Sequence, residues 1–130
     1  MFKSTQSLYA ALAKTLGVAT LPADENGGVQ LSIGDNSTVT LFAEDEATLM
    51  MVSPVMALPK KLDYGTVLWL LRRNFYDSPI TPFRVSCDTV GTITVWGRVP
   101  VEGMTGESLA GLIDALAAEA NNIRDELEAE

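Results

Sequence analysis

Three short segments near the middle of the chain alternate apolar and polar residues: Val29, Leu31 and Ile33, then Val39, Leu41 and Ala43, then Leu49 and Met51. A period of two puts every second side chain on one face of a strand, so each segment has one face suited to a core. The connections between them, "GDNS" and the acidic "EDEA", have turn chemistry and no room for a crossover helix. Strands joined in this way run antiparallel, as a meander.

Helical periodicity brackets the meander. Residues 4 to 16 place Leu8, Leu12 and Leu16 at i, i+4 and i+8, with Ser4 in position to cap the start and Gly17 to end the helix in the left-handed conformation. A second helix spans residues 63 to 75, capped by Asp63, with Leu62 and Val67 placed as a hydrophobic staple. "DSPITP" ends it and leads into a hairpin of Phe83, Val85 and Cys87, the turn "DTVG", and Ile93, Val95 and Val99. Thr105 caps a long final helix, stapled by Met104 and Leu109 and carrying Glu107 in its first turn. Along it Leu109, Leu112, Ile113, Leu116, Ala120, Ile123 and Leu127 keep one face apolar for five turns. The expected order is αβββαββα, an α+β fold in which helices pack a twisted antiparallel sheet. It forms a single domain over residues 1–130, and the acidic stretch 125–130 is expected to fray.

A content of 47% hydrophobic and 20% charged residues in a 130-residue chain is that of one folded domain. Nine basic against seventeen acidic residues leave a net charge of -8, which repels phosphate backbones and anionic bilayers. Neither nucleic acid nor membrane is an expected partner. No segment reaches the roughly 20 apolar residues of a spanning helix. Polar residues interrupt the N-terminus where a signal-peptide core would lie, so the expected location is cytoplasmic. Cys87, the single cysteine, permits no intrachain disulfide; its inward strand phase predicts a buried, inert thiol.

The chain has no histidine, which removes the commonest general base near neutral pH and the commonest zinc ligand together. One cysteine builds neither a thiolate metal site nor a redox pair. Phosphate-binding, dinucleotide-binding and calcium-loop patterns do not occur. The carboxylate runs "EDE" at 44–46 and "DELEAE" at the end read as a solvated turn and a helix end. No catalytic residue, metal ligand or cofactor is therefore expected, although the sequence leaves open a small enzyme built on a carboxylate pair or a metal.

What stands out instead is surplus apolar surface. If Val39, Leu41, Leu49 and Met51 face a core, then Phe42, Met50 and Val52 project from the opposite face, as does Trp96 beside Val95. Large apolar groups on a nominally solvated face mark a binding surface. A helix covering that face, or a one-residue slip of register, explains them equally well. In the second helix Tyr64, Val67, Leu68, Leu71 and Phe75 form a stripe expected to pack on the chain's own sheet. Trp69 and Leu70 project from the other side, around Thr66 and Arg73. The simplest second partner is an identical subunit across a twofold axis; the alternative is a helix sandwiched within one chain, for which so few elements hardly supply a third layer.

The order αβββαββα, the acidic balance, the length and "VLWLLRRN" in the second helix resemble the class I type III secretion chaperones, small dimeric Tir-chaperone-like proteins of Gram-negative bacteria. The resemblance runs from about Leu8 to Ile123, through "SLYAALAKTLGV", "VQLSIGD", "VTLFAE" and "GESLAGLIDALAAEANNI". It implies a homodimer of the bacterial cytoplasm without enzymatic activity. Such a dimer binds the N-terminal chaperone-binding segment of an effector, holds it extended and secretion-competent, and presents it to the export apparatus and its ATPase. It further implies a dimer contact from the second helix and adjoining strands, here Val67, Trp69, Leu70, Arg73 and Trp96. Effector contact falls to Phe42, Met50 and Val52. A regulatory protein that sequesters a transcription regulator or another chaperone is the alternative on the same fold.

Overall fold

The computed structural model describes residues 5–21 and 28–129; the expected cap Ser4 and most of the loop 22–28 lie outside the described residues. Three helices, α1 (Thr5–Leu16), α2 (Tyr64–Arg72) and α3 (Gly106–Glu128), join five strands. The strands are β1 (Val29–Ile33), β2 (Ser37–Ala43), β3 (Thr48–Ala57), β4 (Arg84–Cys87) and β5 (Thr92–Pro100). They form one antiparallel sheet in the order β1-β2-β3-β5-β4, which is the expected αβββαββα arrangement.

Period-2 alternation decides which face carries the core. Val39, Leu41, Leu49, Met51 and Val95 are fully buried, and they meet Leu8 and Leu12 of α1 and Leu109, Leu116 and Ile123 of α3. The helix α3 lies across β2, β3 and β5 and against α1. Where the two helices cross, the chain has a glycine: a Cβ on Gly106 would collide with the Ala11 carbonyl oxygen and lie 2.6 Å from Thr15 Oγ1. Leu16, read as part of the buried stripe of α1, lies beyond this crossing and is exposed.

Local chemistry sets the element ends. Gly17 closes α1 at φ +77, and Gly34 and Gly91 take positive φ in the two hairpin turns, where side chains with a Cβ are strained. Asp88 Oδ1 accepts from the backbone N–H groups of Val90 and Thr92 and so tightens the "DTVG" turn. Pro54 falls inside β3, and the pairing with β5 bulges between Pro54 and Met56, as a residue without an N–H requires. The Arg124 guanidinium of α3 reaches the Val55 carbonyl at this bulge from 3.0 Å. Thr105 caps α3 through a capping box with Ser108.

The helix α3 continues to Glu128, and Leu127 still buries its side chain, leaving 5% exposed. One expectation fails here. Cys87 is exposed rather than buried; it is the last residue of the edge strand β4, where alternation no longer guarantees cover.

Candidate functional site

The sheet register settles the first surface. Leu41, Leu49 and Met51 are buried, so Phe42, Met50 and Val52 occupy the opposite face and a one-residue slip is ruled out. Two cross-strand rows result: Phe42, Met50 and Arg98 in one, and Thr40, Val52, Trp96 and Arg84 in the other. Phe42 keeps 39% of its surface exposed, while Met50, Val52 and Trp96 are half-buried. Trp96, assigned from sequence to the dimer contact, therefore stands beside the candidate effector residues. Its indole Nε1 donates to Ser86 Oγ at 2.9 Å, and the Arg98 guanidinium lies 5.3 Å from its ring centre. Arg98 also pairs with Glu44 at 2.6 Å, an exposed ion pair that contributes little to stability.

The second surface reverses the expected roles of the two stripes of α2. Trp69 and Leu70 pack against the core, and Thr66 between them and the cap is buried. Tyr64, Leu71 and Phe75 are exposed at 78%, 61% and 58%, and Val67 is exposed with them. The reason is polar. The Arg73 guanidinium stacks 4.4 Å over the Trp69 ring and binds Glu119 of α3 in a two-pronged ion pair, with Nη2 to Oε1 at 2.7 Å. Glu119 lies in the buried face of α3, where a carboxylate without a cation is expensive, so the face of α2 that carries Arg73 has to turn inward. Counting apolar residues favoured the longer stripe; the ion pair decides for the shorter one. The sequence carries half of the signal: position 119, three residues after Leu116 and four before Ile123, falls on the apolar face of α3, but nothing local names Arg73 as its partner.

Asn74 is a second residue that the sequence reading left without a role. Hydrogen bonds of the i to i−3 kind extend the end of α2 to Phe75 and bring the Asn74 side chain against β4. There it takes both main-chain groups of Val85, which closes that edge of the sheet. At the other edge, among the described residues, β1 pairs only with β2. Beside it, Tyr9, Ala10 and Ala13 of α1 with Leu21 and Val29 line a hollow of about 370 Å³. Another hollow, of about 460 Å³, lies between α3 and the segment after α2, lined by Arg73, Ile80, Phe83, Leu112, Glu119 and Asn122.

Among the described residues no group of three acidic or sulfur side chains gathers as metal ligands, and no helix is long and apolar enough to cross a membrane. The chemistry on offer is apolar contact, main-chain pairing and a few guanidinium groups.

Comparison with solved structures places this architecture. A chain of the heterodimeric ExoU–SpcU complex from the type III secretion system of Pseudomonas aeruginosa superposes with a TM-score of 0.77 at 19% identity, over 91% of this chain and 95% of that one. The complex of the Yersinia pestis type III secretion chaperone SycH with a fragment of YscM2 gives 0.77 at 22% identity, over 91% and 98%. The HopA1–SchA chaperone–effector complex gives 0.76 at 15% identity, over 92% of each chain. At these identities the likeness is one of fold. No curated protein matches the sequence significantly. The sequence itself carries the assignment: residues 7–124 match the model of the Tir chaperone protein (CesT) family, and the chain belongs to that family.

Proposed function

We propose that this chain is a homodimeric, non-catalytic chaperone that binds the N-terminal segment of a type III secretion effector in the bacterial cytoplasm and keeps it extended for delivery to the export apparatus and its ATPase. One observation carries the reading: after a single copy has folded, two separate apolar surfaces remain, the outer sheet face around Phe42 and the outer face of α2 around Leu71. A monomer of this size has use for neither. Solved structures of the same fold are complexes of type III secretion proteins with a partner chain or of a chaperone with its effector, HopA1–SchA being the latter by description, which supports the passenger half of the proposal.

In this reading the twofold contact is made by Val67 together with Tyr64, Leu71 and Phe75, and Trp69, Leu70 and Arg73 support it from behind. Phe42, Met50, Val52 and Trp96 receive apolar anchors of the passenger. The edge of β1 that no described residue pairs with and the hollow beside α1 suit an extended chain, because main-chain hydrogen bonds give affinity that tolerates sequence variation. The half-buried methionines Met50 and Met56 adapt their shape to different anchors.

The test is affinity capture from the native host, followed by identification of the bound chain and mapping of its protease-protected residues. Protection of a continuous N-terminal stretch of a secreted protein supports the proposal. A folded domain as the protected unit, or a protein that sediments as a monomer and captures nothing, rejects it.

A further inference from the structure

The larger of the two hollows, about 460 Å³ between α3 and the segment after α2, has no part in the reading above. Its apolar wall is within reach of a ligand. Ala115 and Ala118 are exposed on α3, Leu112 is half-buried beside them, Pro79 is exposed opposite, and Ile80 lies deeper. The outward face of a helix ordinarily carries long polar side chains, and here methyl groups leave the hollow open. At its bottom the polar groups answer one another. Arg73 engages both oxygens of Glu119, and Asn122 Nδ2 donates to Glu119 Oε1 at 3.4 Å. The guanidinium is spent on that pair, so an anion gains no free cation there.

The rim is different. Asp114 stands one turn before Ala118, Asp125 and Glu126 stand one turn beyond Asn122, and Asp77 precedes the opposite wall by two residues; all four are exposed. Among the described residues none of them is held in an ion pair. Arg124, the single basic residue of α3, is engaged with the Val55 carbonyl and the Asn121 side-chain oxygen. Arg72, exposed at the end of α2, does not line the hollow.

We infer that this hollow receives an apolar side chain of the passenger, from a segment that carries lysine or arginine close to that anchor. The inference rests on the reading of the chain as an effector-binding chaperone and adds a contact on its helical side, with the chemistry of the segment. The anchor settles against Leu112 and the alanines, and the cations meet the unpaired carboxylates of the rim. A helix rises about 1.5 Å per residue, so Asp114 lies about 6 Å from Ala118 along α3, and Asp125 and Glu126 about 11 Å to the other side. A passenger running extended along α3 advances about 3.3 Å per residue, which sets its basic residues about two positions to one side of the anchor and about three to the other. The net charge of -8 favours the same segment at long range. A second copy of the chain offers the exposed Phe75 and Tyr76 as anchors, but Asp77 follows them directly and the acidic rim repels it.

The experiment is panning of a random 12-residue phage-displayed library on the full-length protein. Selected peptides are titrated by fluorescence anisotropy against the wild type, against Ala118→Trp, which fills the hollow from an exposed position, and against the triple variant Asp114→Asn, Asp125→Asn, Glu126→Gln, each shown by thermal melting to be folded. Amide shifts of the isotope-labelled wild type locate the bound peptide. Peptides with Lys or Arg at the stated spacing from an apolar residue are expected to be enriched and to shift the amides of Ala115 and Ala118. They should bind Ala118→Trp about tenfold more weakly. They should also lose affinity in the triple variant and at high salt, while their Lys→Gln counterparts bind wild type and triple variant alike. Apolar peptides without a basic position, basic peptides that shift only the amides around Phe42 and Met50, or affinity unchanged in Ala118→Trp overturn the inference and leave the chaperone reading standing. Failure of any peptide to bind overturns both. If Ala118→Trp converts a dimer to a monomer, the hollow belongs to a second copy and the inference falls.

Discussion

The side-chain amide of Asn74 stands where a sixth strand would: its Nδ2 donates to the Val85 carbonyl at 2.8 Å and its Oδ1 accepts from the Val85 N–H at 2.6 Å. One residue at the end of α2 thus satisfies the outward-facing pair of groups at the centre of β4 and fixes the angle at which the helix leaves the sheet.

Asn74→Ala should therefore destabilise the fold by about 1–3 kcal/mol, the cost of leaving two main-chain groups unpartnered. Asn74→Asp keeps the acceptor for the Val85 N–H but sets a carboxylate against its carbonyl, and is expected to recover little of the loss. Urea denaturation of the three proteins checks the order; an alanine variant as stable as wild type would show that water replaces the amide without cost.

The two faces of α2 respond differently to charge. Leu71→Glu and Phe75→Glu place a carboxylate on the exposed face and should leave the monomer folded while abolishing self-association. Trp69→Glu strikes the inward face, removes the ring beneath Arg73, and is expected to lower stability by about 3–5 kcal/mol. Sedimentation equilibrium and thermal melts distinguish the cases. If both exposed-face variants remain dimeric, the twofold contact lies elsewhere.

The ion pair between Arg73 and Glu119 is mostly buried, with side-chain exposures of 18% and 9%. Removing one member strands the other, so Glu119→Ala should cost about 3 kcal/mol or more, while the double variant Arg73→Met, Glu119→Leu should be close to neutral. A double-mutant cycle by chemical denaturation gives the coupling directly. Additive losses would mean that packing, and not charge, joins α2 to α3.

Much of this was legible beforehand, and the exceptions have physical causes. Alternation located the meander and the outward position of Phe42, Met50 and Val52, because a sheet with one buried face leaves no freedom of register. The caps at Asp63 and Thr105 were readable because they are local. Contacts that span the chain were not. Nothing within ten residues of Trp69 says that Glu119 awaits Arg73, so the orientation of α2 was inverted. Cys87 shows the limit of alternation itself, which predicts the side a residue faces but not whether anything covers it.

Gly106 offers a last test. Gly106→Ala drives a methyl group into the Ala11 carbonyl and Thr15 hydroxyl, and α1 has to lift from α3 at an expected cost of about 1–3 kcal/mol. Hydrogen exchange should rise in the amides of α1 well before those of β3 and β5. Uniform exchange across the molecule would mean that the crossing and the sheet open together.

That crossing joins the first helix to the last, almost a hundred residues downstream. On the ribosome the five strands emerge before α3 does, and their inner face lacks the cover of that helix until it is made. The docking of α1 thus waits on an element translated almost a hundred residues later, and during that interval the apolar faces of helix and sheet are open to other contacts.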